Sequence, residues 1–243
     1  MPLPTVKTEG IVLSSVKYGE GCIIVNILTR AMGRLAYMVS MTGSKRRQML
    51  PLTQPLSVVE LEAYNNSRSS VQRLKEMHVA QPLASLPFDP VRRSIGMFLT
   101  ELICKSVRVE IADEHVYDFI RQSVLVLDAG IDGQCNFHLY FMWRLMRYLG
   151  FEPDVSSSCD GDVFDMVNGS FVGAMPLHQH VLTSPSDIHL WLLLSEMSVR
   201  NLGDVKLNRD DRQRMISLME QFYSLHIPGF NGLNSATVFA QLV

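Results

Sequence analysis

The chain has 243 residues, of which 47% are hydrophobic, with 22 Lys and Arg against 24 Asp and Glu for a formal charge of −2. That apolar content is ample for a packed core, which excludes a disordered chain, and the absence of any run of about 18 uncharged apolar residues excludes a membrane-spanning helix. The charge is uneven: residues 1–80 hold ten basic and five acidic side chains, a net +5, whereas the other 163 hold twelve and nineteen, a net −7. Such asymmetry points to a polyanion partner for one part only and favours two domains.

Met1 to Glu9 has no apolar stretch behind a basic start, so no signal peptide is expected and the location implied is cytoplasmic. From Val6 to about Ala80 the pattern reads as five short strands. Lys7–Tyr18 is separated from Cys22–Thr29 by Gly19-Glu20-Gly21, whose glycines permit the backbone of a tight turn. Ala31-Met32-Gly33 turns the chain into Arg34–Met41, where Arg34, Ala36 and Met38 alternate with Leu35, Tyr37 and Val39. A basic segment, Gly43-Ser44-Lys45-Arg46-Arg47, is expected as a loop before Leu56–Tyr64, and Asn65 to Ser69 is a turn cluster before Val71–Ala80. Five strands with a longer link between the third and fourth suit an OB-type barrel, with an SH3-like barrel as the rival.

Prolines 82, 87 and 90 mark a change of period from two toward 3.6. Asp89 can cap a helix that has Pro90 at its first position, followed by the stripe Ile95, Phe98, Leu99, Leu102 and Ile103. Further helices are expected at about 114–127, 136–149, 186–197 and 208–225, with Gly150 as a C-cap. Residues 152–182 interrupt them, and Val163–Met166 and Ser170–Val172 around Asn168-Gly169 predict a small hairpin. The fold class expected is α+β: a five-stranded OB-type barrel over 1–81, then a helical domain over 82–243 carrying that hairpin insertion.

Lys45, Arg46 and Arg47 suit phosphate contacts, and Arg30, Arg34, Arg68, Arg73 and Lys75 lie on turns or strands of the same barrel. Base stacking wants aromatic platforms, and Tyr18, Tyr37 and Tyr64 are the barrel's aromatics; the parity of Tyr37 places it in the core. Asp160-Gly161-Asp162-Val163-Phe164-Asp165 lacks the spacing of a calcium loop, which needs a glycine at position 6 and a carboxylate at 12. His178, His180 and His189 complete no metal pattern, and the four cysteines at 22, 104, 135 and 159 form no C-x-x-C pair. Reduced thiols are expected, with Cys22, Cys104 and Cys135 as small core side chains. Thr42-Gly43-Ser44-Lys45 lacks the first glycine and the following helix of a phosphate-binding loop, and Glu9, Glu20, Glu60 and Glu62 are too dispersed to nominate a nuclease centre. No catalytic residue, cofactor or metal is expected.

Thr8-Glu9-Gly10-Ile11-Val12-Leu13-Ser14, then Tyr18-Gly19-Glu20, resembles the start of bacterial RecO recombination mediator proteins. The similarity continues through Ile27–Arg30, Gly33-Arg34-Leu35, the segment Gly43–Arg47, Leu56–Tyr64, Phe98–Leu102, the junction Leu149-Gly150-Phe151-Glu152-Pro153, and Leu233-Asn234-Ser235. The resemblance implies an OB barrel and a helical domain that bind single- and double-stranded DNA and anneal strands. It also implies partners: the acidic tail of single-strand DNA-binding protein and a RecR-like protein, through which recombinase is loaded. Arg144 and Arg147 are the positions expected to meet the acidic tail. Many relatives carry a four-cysteine zinc site after that junction, whereas only Cys159 with Asp160, Asp162 and Asp165 follows it here, so no zinc is expected. The alternative is a protein-interaction module whose barrel binds a peptide or protein and has no direct DNA role.

Overall fold

The structure is a computed structural model that describes residues 4–66, 68–107, 111–156 and 163–235, without the side chains of Ser44 and Lys45. Ser67 of the turn cluster and Cys159, Asp160 and Asp162 lie outside the described residues. The chain forms two compact units, residues 1–129 and 130–243.

The first unit is built on β1 (Thr5–Tyr18), β2 (Cys22–Thr29), β3 (Gly33–Ser40), β4 (Val58–Tyr64) and β5 (Val71–Gln81), closed into a barrel in the order β1-β2-β3-β5-β4. β3 and β5 pair parallel over Val71–Arg73 and every other neighbour is antiparallel. That order is the OB topology and excludes the SH3-like rival. The 14-residue β1 serves two partners, β4 through Thr5–Ile11 and β2 through Gly10–Tyr18. A bulge at Leu13 breaks its register with β2, so Val12 points into the core while Ser14, Val16 and Tyr18 share the outer face.

The core of the barrel is Val12, Val25, Ile27, Leu35, Tyr37, Val39, Val59, Leu61, Ala63 and Met77. Between β3 and β4 the segment expected as a loop is an α-helix, α1 (Gly43–Leu52). Local sequence opposes it: Thr42 makes no cap bond, no acidic residue occupies the first turn, and Pro51 lies inside. Packing decides instead, because Leu52 is buried in the barrel core and Met49 packs against it.

α2 (Pro90–Ser106) starts where Asp89 accepts from the amides of Val91 and Arg92 and buries Ile95, Phe98, Leu99, Leu102 and Ile103. α3 (Glu114–Ala129) is joined to the barrel by Glu9, which accepts from Tyr117 Oη at 2.9 Å and Arg121 Nε at 2.6 Å. Asp128 of α3 clamps the connection into α2 by accepting from the amides of Ala84, Ser85 and Leu86 at 2.7–2.9 Å. Burial opposes the charge on Asp128, but these three bonds and Arg92 outweigh it and hold its pKa below the ordinary aspartate value.

The second unit packs α4 (Phe137–Leu149), α5 (Pro185–Glu196) and α6 (Arg209–His226) around Trp143, Trp191, Phe222 and Tyr223. Gly150 ends α4 with φ 85°, which lets Phe151 donate its amide to Met146 O and stack on His226 of α6. The predicted hairpin is present as β6 (Val163–Asp165) and β7 (Ser170–Val172), and a third strand, β8 (Val181–Leu182), escaped the sequence reading because it is two residues long. Asp165 accepts from Val167 N, Asn168 N and Asn168 Nδ2 and so holds the turn. Cys22, Cys104 and Cys135 are half-buried, not the core side chains expected.

Asp128→Ala should destabilise the protein by about 1–3 kcal/mol at neutral pH in urea unfolding, since three amides lose their acceptor. Because folding lowers this carboxylate's pKa, its contribution is fully present above the unfolded value of about 3.9 and fades as pH falls through the folded value, so the deficit should shrink in acid.

Candidate nucleic-acid interface

Register places a continuous row across the outside of the barrel: Val16 of β1 opposite Ile24 of β2, Ile24 opposite Met38 of β3, and Met38 opposite Arg73 of β5. Val16 is 61% exposed, Met38 39%, and Arg73 is open to solvent. Tyr18, two pairs further along β1 and 55% exposed, lies opposite Cys22. This face is apolar, one aromatic wide, and bordered by a cation. The other end of the same strands is covered, since Leu28 is buried and Arg34 lies against Cys104 of α2.

α1 begins at the edge of that face. Met41 N donates to Gly21 O at 2.7 Å, which ties the β1–β2 turn to the start of the helix. Thr42 Oγ1 is engaged with Ser40 Oγ and makes no bond to the helix amides. The first-turn amides therefore have no cap bond from Thr42, at a helix end that carries partial positive charge. Lys45, Arg46 and Arg47 follow at once, and the Arg46 and Arg47 side chains are exposed. Three cations at a helix N-terminus repel its dipole, and an anion relieves both.

The predicted basic residues divide sharply. Arg46, Arg47 and Arg73 are exposed, and Arg68 is exposed on the β4–β5 turn. Arg30 is engaged by Glu114 at 3.0 Å and Asp118 at 3.2 Å. Arg34 is half-buried beside Cys104. Lys75 donates to Glu62 at 2.8 Å, a bond that lowers the Glu62 pKa. In the second unit Arg144 donates to the carbonyls of Ser195 and Met197 and faces Glu152 at 3.7 Å, whereas Arg147, with a side chain 67% exposed, meets only Glu152 among the described residues. Tyr37 is fully buried, as its parity indicated.

Sequence separation proved a poor guide to the carboxylates. Glu9 pairs across β1–β4 with Glu60, and Glu62 lies two pairs along opposite Lys7. Glu9 is held by Tyr117 and Arg121 and Glu62 by Lys75, so their charge is matched locally. Among the described residues no three His, Cys, Asp or Glu side chains are grouped to hold a metal, and no helix is long and apolar enough to cross a membrane.

The outer row escaped sequence reading because a bulge is invisible in the alternation: Val12 and Val16 have the same parity yet face opposite sides. The signal available was Ser14, Val16 and Tyr18 following a buried run.

The sequence matches the family described as recombination protein O N terminal over residues 1–83 and recombination protein O C terminal over residues 87–235. The chain belongs to the RecO family. A Phocaeicola vulgatus protein named DNA repair protein RecO is 35% identical over 237 residues, covering 97% of this chain and 98% of that protein. One of the same name from Bacteroides fragilis is 33% identical with the same coverage, and one from Flavobacterium psychrophilum is 29% identical over 98% of each chain. In this RecO-family chain the two matched segments meet at residues 84–86, the connection that Asp128 clamps.

Arg46→Glu should raise stability by about 0.3–1 kcal/mol in urea unfolding, by reversing an unfavourable charge at the start of α1. No gain would mean that the helix dipole does not feel this side chain.

Proposed function

We propose that this RecO-family chain is a non-enzymatic recombination mediator of the cytoplasm that binds single- and double-stranded DNA on the barrel, residues 1–81, anneals complementary strands, and helps load recombinase onto DNA coated by single-strand DNA-binding protein. The observation that carries the reading is the uncapped, cationic start of α1 beside the open row Val16–Ile24–Met38–Arg73. Phosphates sit at the helix amides and the side chains of Arg46, Arg47 and Arg73, with Lys45 in the same turn and Arg68 on the turn into β5. Arg30, Arg34 and Lys75, which have protein partners, contribute through field more than contact. Bases of a single strand lie on Tyr18 and the apolar row, which offers faces and almost no hydrogen-bond donors, so binding tolerates any sequence. Annealing follows from neutralising the phosphate repulsion between two strands.

The helical domain, residues 82–243, receives the acidic tail of single-strand DNA-binding protein, with Arg147 the more available cation and Arg144 largely committed to internal carbonyls. A RecR-like protein is the second partner.

Anisotropy of a labelled oligonucleotide tests the DNA reading. Binding should be strong at low salt and fall steeply as salt rises, and Lys45, Arg46 and Arg47 changed together to Ala should flatten the log–log salt slope by about 2. Tyr18→Ala should cost about 1–3 kcal/mol on a single strand and little on a duplex. Wild-type protein that ignores DNA at low salt, or a triple variant that binds as tightly as wild type, sinks the proposal. Annealing with and without single-strand DNA-binding protein then separates DNA handling from partner contact.

A further inference from the structure

The first unit holds a second feature that the DNA reading does not use: a groove of about 650 Å³ bounded by the C-terminal half of α1, the starts of β4 and the ends of β5, and α2 with the connection before it. Leu52, Leu56, Val58 and Leu86 form its floor, all buried. Its rim is apolar and solvent-facing, with Phe88 79% exposed, Met97 60% and Val79 54%. Exposed side chains of this size gathered around one concavity mark a docking surface, not a monomer's resting surface.

The groove is built to stay open. Pro51, Pro55, Pro82 and Pro87 stiffen its walls. The connection is fixed by Asp128. Leu56, with φ 64°, holds a left-handed backbone rare for a branched residue, and its Cδ1 lies 2.9 Å from where a Cβ on Gly96 would be. Gly96 is therefore the position at which α2 gives the groove its depth. A preformed cleft costs a partner little ordering entropy on the protein's side.

Charge selects the occupant. Arg93 is exposed on the α2 face that also carries Gly96 and Met97, and its side chain has no ion-pair or hydrogen-bond partner among the described residues. Among the described residues no carboxylate lines the groove. Nucleic acid needs repeated cations and finds one here. A second copy laid on the same patch about a twofold axis brings no carboxylate to Arg93. We propose that this groove docks a protein segment presenting two or three bulky apolar side chains beside one carboxylate, the apolar groups seated over Leu56 and Gly96 and the carboxylate paired with Arg93. This site is separate from the acidic-tail contact assigned to Arg147, and it goes beyond the DNA reading.

The test uses the full chain and a panel of fluorescein-labelled, amidated octapeptides, each with Leu or Phe at three positions and a single Glu walked along the sequence, with a matched Lys panel. At least one Glu peptide should bind at least tenfold more tightly than its Lys counterpart. Met97→Glu, a surface change that leaves the core intact, should remove binding, and Arg93→Glu should reverse the preference from Glu to Lys peptides. Thermal melts confirm that both variants are folded, and oligonucleotide anisotropy on the same variants should match wild type, so failure here is distinguishable from failure of the DNA reading. The proposal is overturned if no peptide binds, if binding shows no Glu-over-Lys preference, or if it survives Met97→Glu. It is equally overturned if wild type sediments as a dimer that Met97→Glu makes monomeric, which assigns the face to a second copy.

Discussion

The arrangement of this molecule's first unit depends on β1 pairing with two strands at once. One half is bonded to β4 and the other to β2, and the bulge at Leu13 lets the strand turn between them. Closure removes a free edge along β1, and the bulge exchanges the sides that its residues face. Before it, Val12 enters the core; after it, Val16 and Tyr18 look outward. Without that one extra residue the apolar row that we assign to bases would be inside the barrel, and Ser15 and Lys17 would be outside in its place.

α1 shows a local cost accepted for a global gain. Its sequence starts with cations, lacks a side-chain cap and contains a proline, each of which disfavours a helix. It forms because Leu52 and Met49 complete the barrel core. The unfavourable start is where we propose that phosphate binds, and such a local inconsistency is the kind expected where stability yields to function.

Strand boundaries, the Asp89 cap, the Gly150 cap and the Asn168-Gly169 hairpin were legible because each rests on a residue whose backbone preference acts locally. The helix at Gly43–Leu52 was not, since only contact with a distant barrel core stabilises it. The outer row was not either, because its membership follows from a bulge. Basic residues could be counted from sequence, but not their partners. Arg30 and Arg73 look alike in the chain, yet Glu114 and Asp118 come to one and open solvent to the other. The pairing of Glu9 with Glu60 is a product of barrel register that no spacing rule reveals.

The proposed DNA face and the apolar groove share two elements. α1 presents its cations at one end and Pro51 and Leu52 to the groove at the other. β5 enters beside the DNA face at Arg73 and leaves along the groove at Val79 and Gln81. Both elements are pinned to the barrel core, α1 by Leu52 and β5 by Met77, so a ligand at one end acts on a body already ordered at the other. Thermodynamic reciprocity then fixes the form of any communication: whatever factor a partner in the groove imposes on DNA affinity, DNA imposes on the partner. Within the first unit, charge would keep the two proposed occupants apart, because the groove is lined by a single cation and the face carries no acidic side chain in its row.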